Sequence, residues 1–277
     1  MKKGICWSTL PPEMGVAERF VLAAKAGFQA IEPSVELEGS GGLIRYDSSE
    51  ADLKQALKMA RDNGLTYCSL MGGGVHQRTY PIVDDDAAVR QKGLDSVRRL
   101  LEIAATLETG ALLFVPHWVG DKVRYDRCYE RTLETMRKLA PEAERLGVTL
   151  AIENVWNKFL LSPIEFARII DEVGSPAVQA YFDVGNVLVW GYPHHWIEIL
   201  GKRICRVHVK DFRTDINNAY GFAQLLNGSV NWPAVMRALR GIGYDGWVTA
   251  EVGRYAHFPI ESTYDTSTAM DRIFALR

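Results

Sequence analysis

No stretch of the chain approaches the roughly 20 consecutive apolar residues that a bilayer-spanning helix requires, which disfavours a membrane-embedded protein. The N-terminal MKKGICWSTLPPEMG turns polar and proline-bearing too early to supply a signal-peptide apolar core, so a soluble, cytoplasmic protein is expected. Excess charge is missing as well. Thirty-two Lys and Arg residues stand against 34 Asp and Glu, with no basic run to track a phosphate backbone, so nucleic acid is not expected as a partner. CxxC pairs are absent: Cys6, Cys68, Cys128 and Cys205 are dispersed, three of them in apolar strand-like runs. That pattern reads as buried reduced thiols rather than disulfides or a thiolate metal site. No strand-like run is followed by GxGxxG or GxxxxGK[ST], which argues against a doubly wound nucleotide-binding sheet. The glycines of MGGGVH lack the required spacing and read as a flexible loop.

What is present is alternation. Eight short runs rich in β-branched or aromatic residues recur: KGICWS, FQAIEP, LTYCSLM, ALLFVPH, VTLAIEN, VQAYFDV, ICRVHVKD and GWVTAEV. Between them lie helical patterns such as DDDAAVRQKGLDSVRRLLEIAATLE, where Val97, Leu100, Leu101, Ala104 and Leu107 keep the three-four spacing of one buried face. Glycine marks the helix-to-strand joints KAGFQA, DNGLTY, ETGALL, RLGVTL and IGYDGW, all short, whereas the strand-to-helix joints are long. Eight such units, elaborated at one end, predict a (β/α)8 TIM barrel in a single domain over residues 1–277, with its site at the C-terminal ends of the strands. At 47% apolar composition the chain is ample for one continuous core.

Those strand ends are polar: Glu32, His117, Glu153 with Asn154, Asp183 with Asn186, His208 with Lys210, and Glu251. Period two sends alternate side chains inward, so Thr149, Ala151 and Glu153 share one side, as do Arg206, His208 and Lys210. Strands five to eight would therefore bring Glu153, Asp183, His208 and Glu251 to one mouth. Three carboxylates held close repel one another unless a cation sits among them. Oxygen and imidazole ligands without thiolate favour one divalent metal ion, Mn2+ first, with Mg2+, Co2+ or Zn2+ as alternatives.

IENVWN, YFDVGNVLVWG, RVHVKDF and AEVG resemble the sugar isomerase and epimerase superfamily of xylose isomerase-like barrels, nearest the ketose 3-epimerases and pentulose-5-phosphate 3-epimerases. The resemblance implies that Glu153, Asp183, His208 and Glu251 bind the metal and that Glu153 and Glu251 are the catalytic acid and base. It further implies proton abstraction beside a carbonyl and reprotonation through a metal-bound enediolate. Free-ketose 3-epimerases carry a second glutamate and a histidine where this chain has Phe159 and Asn186; its FDVGN run is more similar to the sugar-phosphate members.

The resulting expectation is a metal-dependent epimerase or isomerase acting on a ketose or ketose phosphate. The same site would also serve a dehydratase or lyase of keto-sugars or keto-cyclitols, and a barrel that only binds sugar is the non-enzymatic alternative. Apurinic-site nuclease chemistry is disfavoured, because it needs more histidines and a basic face. Arg213, Asn186, His117, Trp156, Lys210 and Glu32 are the candidate substrate contacts, with Lys210 also placed to pair with a carboxylate. Trp7, Trp118 and Trp190 offer flat faces to sugar or, individually, ordinary packing. His194 and His195 stand at a helix start and read as surface or capping residues. The aromatic-bearing loops allow a homo-oligomer.

Overall fold

The computed structural model describes residues 1–36, 42–72 and 79–277; most of the MGGGVH loop lies outside them. Among the described residues nine strand segments form one parallel sheet. The first strand is Lys2–Cys6, the second Ala30–Glu32, the fourth Ala111–Phe114 and the fifth Thr149–Glu153. The sixth is Val178–Asp183, the seventh Ile204–Val209 and the eighth Trp247–Ala250. The third comes in two pieces: Thr66–Tyr67 pairs with the second strand and Leu70–Met71 with the fourth. One interrupted strand thus joins the two edges, and the sheet closes into the expected barrel.

Helices cover the outside: α1 (Val16–Lys25), α2 (Glu50–Asp62), α3 (Ala87–Thr106), α4 (Tyr125–Leu146), α5 (Pro163–Val173), the single turn α6 (Val184–Val187), α7 (Pro193–Leu200), α8 (Trp232–Gly241) and α9 (Pro259–Ala275). No helix among the described residues is long and apolar enough to cross a membrane. Asp86 caps α3 through the Ala88 amide, and Val97, Leu100, Leu101, Ala104 and Leu107 are all fully buried, as the three-four spacing predicts. All five glycine-marked joints turn through positive φ, at Gly27, Gly64, Gly110, Gly147 and Gly243. At Gly147 the reason is plain: φ of 66° places the α4 C-cap in the left-handed region, where a Cβ would be strained.

Inside the barrel the side chains run from small to charged. Gly4 sits where a Cβ would lie 2.9 Å from Thr249 Oγ1 and 3.2 Å from Cys68 Sγ, so only glycine lets these three strands meet. Leu113, Val115, Ala151 and Tyr181 form a small apolar cluster of their own, separate from the main core between strands and helices. Near the N-terminal end of the seventh strand, Arg206 donates to the carbonyls of Cys68, Cys205 and Thr109 at 2.7, 2.9 and 3.3 Å, tying the third and fourth strands to the seventh. The polar face that RVHVK predicts therefore points inward, with Arg206 below and His208 above.

Candidate metal centre and active site

Glu153 ends the fifth strand, Asp183 the sixth, His208 lies one residue from the end of the seventh, and Glu251 follows the eighth. Each offers one ligand atom, and these four atoms lie within 4.8 Å of one another. His208 Nδ1 is the hub, 3.0 Å from Glu153 Oε1, 3.7 Å from Glu251 Oε2 and 3.9 Å from Asp183 Oδ2.

Local bonding explains why the carboxylates converge. Asn154 acts as a side-chain rung: its Nδ2 donates to the Asp183 carbonyl and its Oδ1 accepts from the Asp183 amide, both at 2.8 Å. The fifth and sixth strands are thereby held together beyond their ladder. Asp183 Oδ1 caps α6 by accepting from the Asn186 amide at 2.6 Å, which leaves Oδ2 turned to the cluster. That Oδ2 is buried and has no hydrogen bond, although the Lys210 ammonium lies 3.0 Å away. Glu251 is anchored through its amide, which donates to the Val209 carbonyl at 3.0 Å.

The electrostatics are those of a cluster short of positive charge. Burial pushes the Glu153 carboxyl up to about 7, against the pull of the His208 hydrogen bond and charge. Burial also raises Asp183, only partly offset by Lys210. At Glu251 the charges of Lys210 and His208 outweigh burial and lower it. Burial works against a charged Lys210, but Asp183, Glu251 and Glu153 lift it well above its ordinary value. With the His208 charge matched by the Glu32 carboxylate at 2.6 Å, the three carboxylates share one ammonium, and full ionisation leaves two negative charges uncompensated. A buried orphan oxygen, an imidazole nitrogen and two further carboxylates around that deficit fit a single divalent cation.

A second trio, Cys6, Glu32 and His208, is also close enough to suggest a metal. Its atoms are instead bonded to one another. Glu32 Oε2 accepts from Cys6 Sγ at 3.1 Å and lies 2.6 Å from His208 Nε2; Oε1 accepts from Ser69 Oγ at 2.5 Å and Tyr181 OH at 2.8 Å. Burial pushes the Cys6 thiol well up, so it stays a donor. Burial would also raise Glu32, but the His208 charge and hydrogen bond, with Ser69 and Cys6, bring it down to about 2.

The candidate substrate contacts fall in different places. Glu32 is fully buried behind His208, so the structure places it under the site and out of contact with the mouth. Asn186 is spent on structure: its Nδ2 donates to the Asn154 carbonyl, and its own carbonyl accepts from Trp156 Nε1, both at 2.9 Å. Lys210 pairs with Glu251 and Asp183, above the Phe222 ring. Trp156 is half-buried among Trp190, Phe212 and Phe222, with ring centroids 6.3, 5.5 and 4.9 Å away, an aromatic wall beside Lys210. His117 is half-buried beside Trp118, its carbonyl accepting from Asn157 Nδ2. Arg213 is exposed and its fork is closed on Asp215, at 2.6 and 3.2 Å. Phe159, where a second glutamate would stand in free-ketose 3-epimerases, is a core anchor against Tyr125 and Tyr129. His194 and His195 occupy the first turn of α7. Trp7 is buried and Trp118 is exposed.

Residues 20–273 match the model of the Xylose isomerase-like TIM barrel family. The chain belongs to that family. Among curated relatives, it is 26% identical over 244 residues to an L-ribulose-5-phosphate 3-epimerase of Salmonella typhi, covering 88% of this chain and 84% of the relative. A solved D-psicose 3-epimerase superposes with a TM-score of 0.83 over 99% of both chains at 22% identity. The 3-keto-D-glucoside 4-epimerase of E. coli does so at 0.79 and 18% identity, over 98% of this chain and 99% of its own. At such identities the solved structures speak for the fold.

Ser69 and Tyr181 are not among the residues that the sequence marks, and Cys6 is marked there only as a buried thiol. Tyr181 shares the parity of Asp183 in VQAYFDV, a usable signal; Ser69 falls in the break of the third strand, which periodicity does not reveal.

Proposed function

We propose that this chain is a divalent-metal-dependent epimerase of a ketose or ketose phosphate. The observation that carries the proposal is the convergence of Glu153, Asp183, His208 and Glu251 within 4.8 Å at the barrel mouth. The names of the relatives support it. Those four residues would hold the ion, which supplies Lewis-acid polarisation of the substrate carbonyl; oxygen-rich ligation with one imidazole suits manganese.

The chain's own residues do the rest. Strands five and eight bracket strands six and seven, so Glu153 and Glu251 approach the mouth from the two ends of a four-strand arc. One glutamate takes the proton from the carbon beside the carbonyl, and the other returns a proton from the opposite face, which inverts that carbon. Lys210, bonded to Glu251 and close to Asp183, favours the ionised form of both, prevailing over burial at Glu251, and fixes their orientation. The aromatic wall around Trp156 excludes water from one flank and offers a flat face to the sugar chain.

Ketoses and ketose phosphates incubated in deuterated water with manganese should gain deuterium at the carbon beside the carbonyl and interconvert epimers at constant mass. Turnover that survives exhaustive chelation would overturn the proposal, and loss of water from the product would reassign the site to elimination. Glu153→Gln and Glu251→Gln should each lower kcat by about 10³-fold, the scale of a lost general acid or base, in the same assay.

A further inference from the structure

A cavity of about 410 Å3 opens beside the mouth, between the segments that follow the first, second and eighth strands. Trp7, Ser8, Arg19, Ser34, Glu36 and Arg254 are among its lining residues. It adjoins the proposed catalytic site by covalent connection. Arg254 lies three residues beyond Glu251, an extended reach of at most about 11 Å. Trp7 directly follows Cys6, whose sulfur is 3.7 Å from His208 Nε2. Thr9 Oγ1 binds the carbonyl and amide of Val252 at 3.1 and 3.3 Å, which stitches the first and eighth strand-end segments together and fixes the cavity wall.

Among the described residues, two guanidinium groups converge there without a carboxylate in salt-bridge contact. Arg19 lies over the Trp7 ring at 4.9 Å and donates from Nε to the Met14 carbonyl at 3.1 Å and from Nη2 to the Pro12 carbonyl. Arg254 donates from Nη1 to the carbonyls of Ser8 and Leu10. Among the described residues neither forms an ion pair, and Nη1 of Arg19 with Nε and Nη2 of Arg254 make no hydrogen bond. Burial and then the like charge of Arg254 pull Arg19 below its ordinary value, with Glu13 and Glu36 opposing. Backbone carbonyls hold the two forks in place and do not neutralise them. Such a pair is costly alone and complementary to a dianion with several acceptor oxygens. Arg213, by contrast, is already neutralised by Asp215.

We propose that the cavity lined by Arg19 and Arg254 is a subsite for the phosphate monoester of the substrate, making this enzyme selective for ketose phosphates over free ketoses. The inference rests on the epimerase reading of the carboxylate cluster and names the substrate class of that site. Ser8 and Ser34 supply neutral polar groups at its edge. Glu36, the carboxylate of the lining, has its oxygens against Gly42, where an added Cβ would lie 2.6 and 2.7 Å from them.

The test has two arms. In the kinetic arm, kcat/KM is measured with a ketose phosphate and with the corresponding free ketose, for the wild type, Arg254→Met, Arg19→Met and Arg254→Lys. The phosphate should be preferred by the wild type. Each Met variant should raise its KM by about 10- to 100-fold, the scale of a lost charge-assisted hydrogen bond, and narrow the preference. Arg254→Lys should recover part of it. In the binding arm, inorganic phosphate is titrated calorimetrically into the metal-loaded proteins, with sulfate as the comparison dianion. Binding should be present in the wild type and weakened in both Met variants. Thermal melting separates a folding defect, most relevant at Arg19 because of its stack on Trp7; Arg254→Met has no such stack and keeps the question open to an answer. Equal use of both substrates by the wild type, or an unchanged phosphate preference in Arg254→Met, overturns the inference. Phosphate binding lost in the variants of a chain that epimerises neither substrate would keep the subsite and overturn the epimerase reading instead.

Discussion

Glu32 shows how one buried residue can govern a site it does not face. Both of its oxygens are engaged, with Ser69 and Tyr181 on one and Cys6 and His208 on the other. A carboxylate held on His208 Nε2 keeps a proton there and turns Nδ1 toward the carboxylate cluster, where a bound cation would take the place of the second proton, the arrangement that orients histidine ligands in metal sites. Glu32→Gln should therefore weaken manganese binding by about 10- to 100-fold while leaving the four cluster residues in place. Calorimetric titration with Mn2+ measures it; unchanged affinity would show that the histidine is oriented by packing alone. Asp183→Asn should be more severe, because it removes charge from the oxygen that has no other hydrogen bond.

At the scale of elements, the long segment after the seventh strand is held by Asp211. This fully buried carboxylate accepts from the amides of Phe212, Leu226 and Val230 and from Trp232 Nε1, at 2.9 to 3.1 Å. It joins the short antiparallel pair Asp211–Phe212 with Phe222–Ala223 to the start of α8, and so sets the position of Phe222 in the aromatic wall. Gly228 packs against it closely enough that a Cβ would lie 2.1 Å from Asp211 Oδ1. Asp211→Ala should cost about 3 kcal/mol of stability, since several buried donors lose a charged acceptor at once. Denaturant unfolding reads that cost. A loss below about 1 kcal/mol would mean that water replaces the carboxylate. Gly228→Ala should act in the same direction, through the displaced loop.

For the molecule as a whole, the proposed ion bridges four strands that lie far apart in the chain, from Glu153 to Glu251. Binding to the folded state alone stabilises it by about 2.7 kcal/mol at a free ion concentration one hundred times Kd. Chelation should accordingly lower Tm, manganese should restore it, and Glu153→Gln or Asp183→Asn should abolish the restoration. A Tm indifferent to both treatments would remove the ion from the account of the barrel. The same four strands carry the closed hydrogen-bond ladder, so loss of the ion is expected to loosen the mouth while the barrel persists.

Much of this was legible along the chain, because barrel strands repeat a local code. Period-two alternation put Glu153, Asp183 and His208 on the inner face, and glycine-marked joints announced the short turns at the opposite end. The polar residue closing each strand was visible for the same reason: side-chain direction in a strand follows from parity alone. What parity could not tell is which inward residues end below the site and which at its rim. Glu32 closes its strand as Glu153 does, yet it is enclosed by Cys6 and Tyr181 of the first and sixth strands and by Ser69 in the break of the third, brought near only by closure of the sheet. Asn186 likewise owes its occupation by Asn154 and Trp156, some 30 positions earlier, to contacts made after the loops fold. Arg19 and Arg254 stand 235 positions apart in sequence and line one cavity. Local pattern determined the barrel and its inward charges; three-dimensional packing decided which of them are neutralised, because burial and partner choice depend on neighbours remote in the chain.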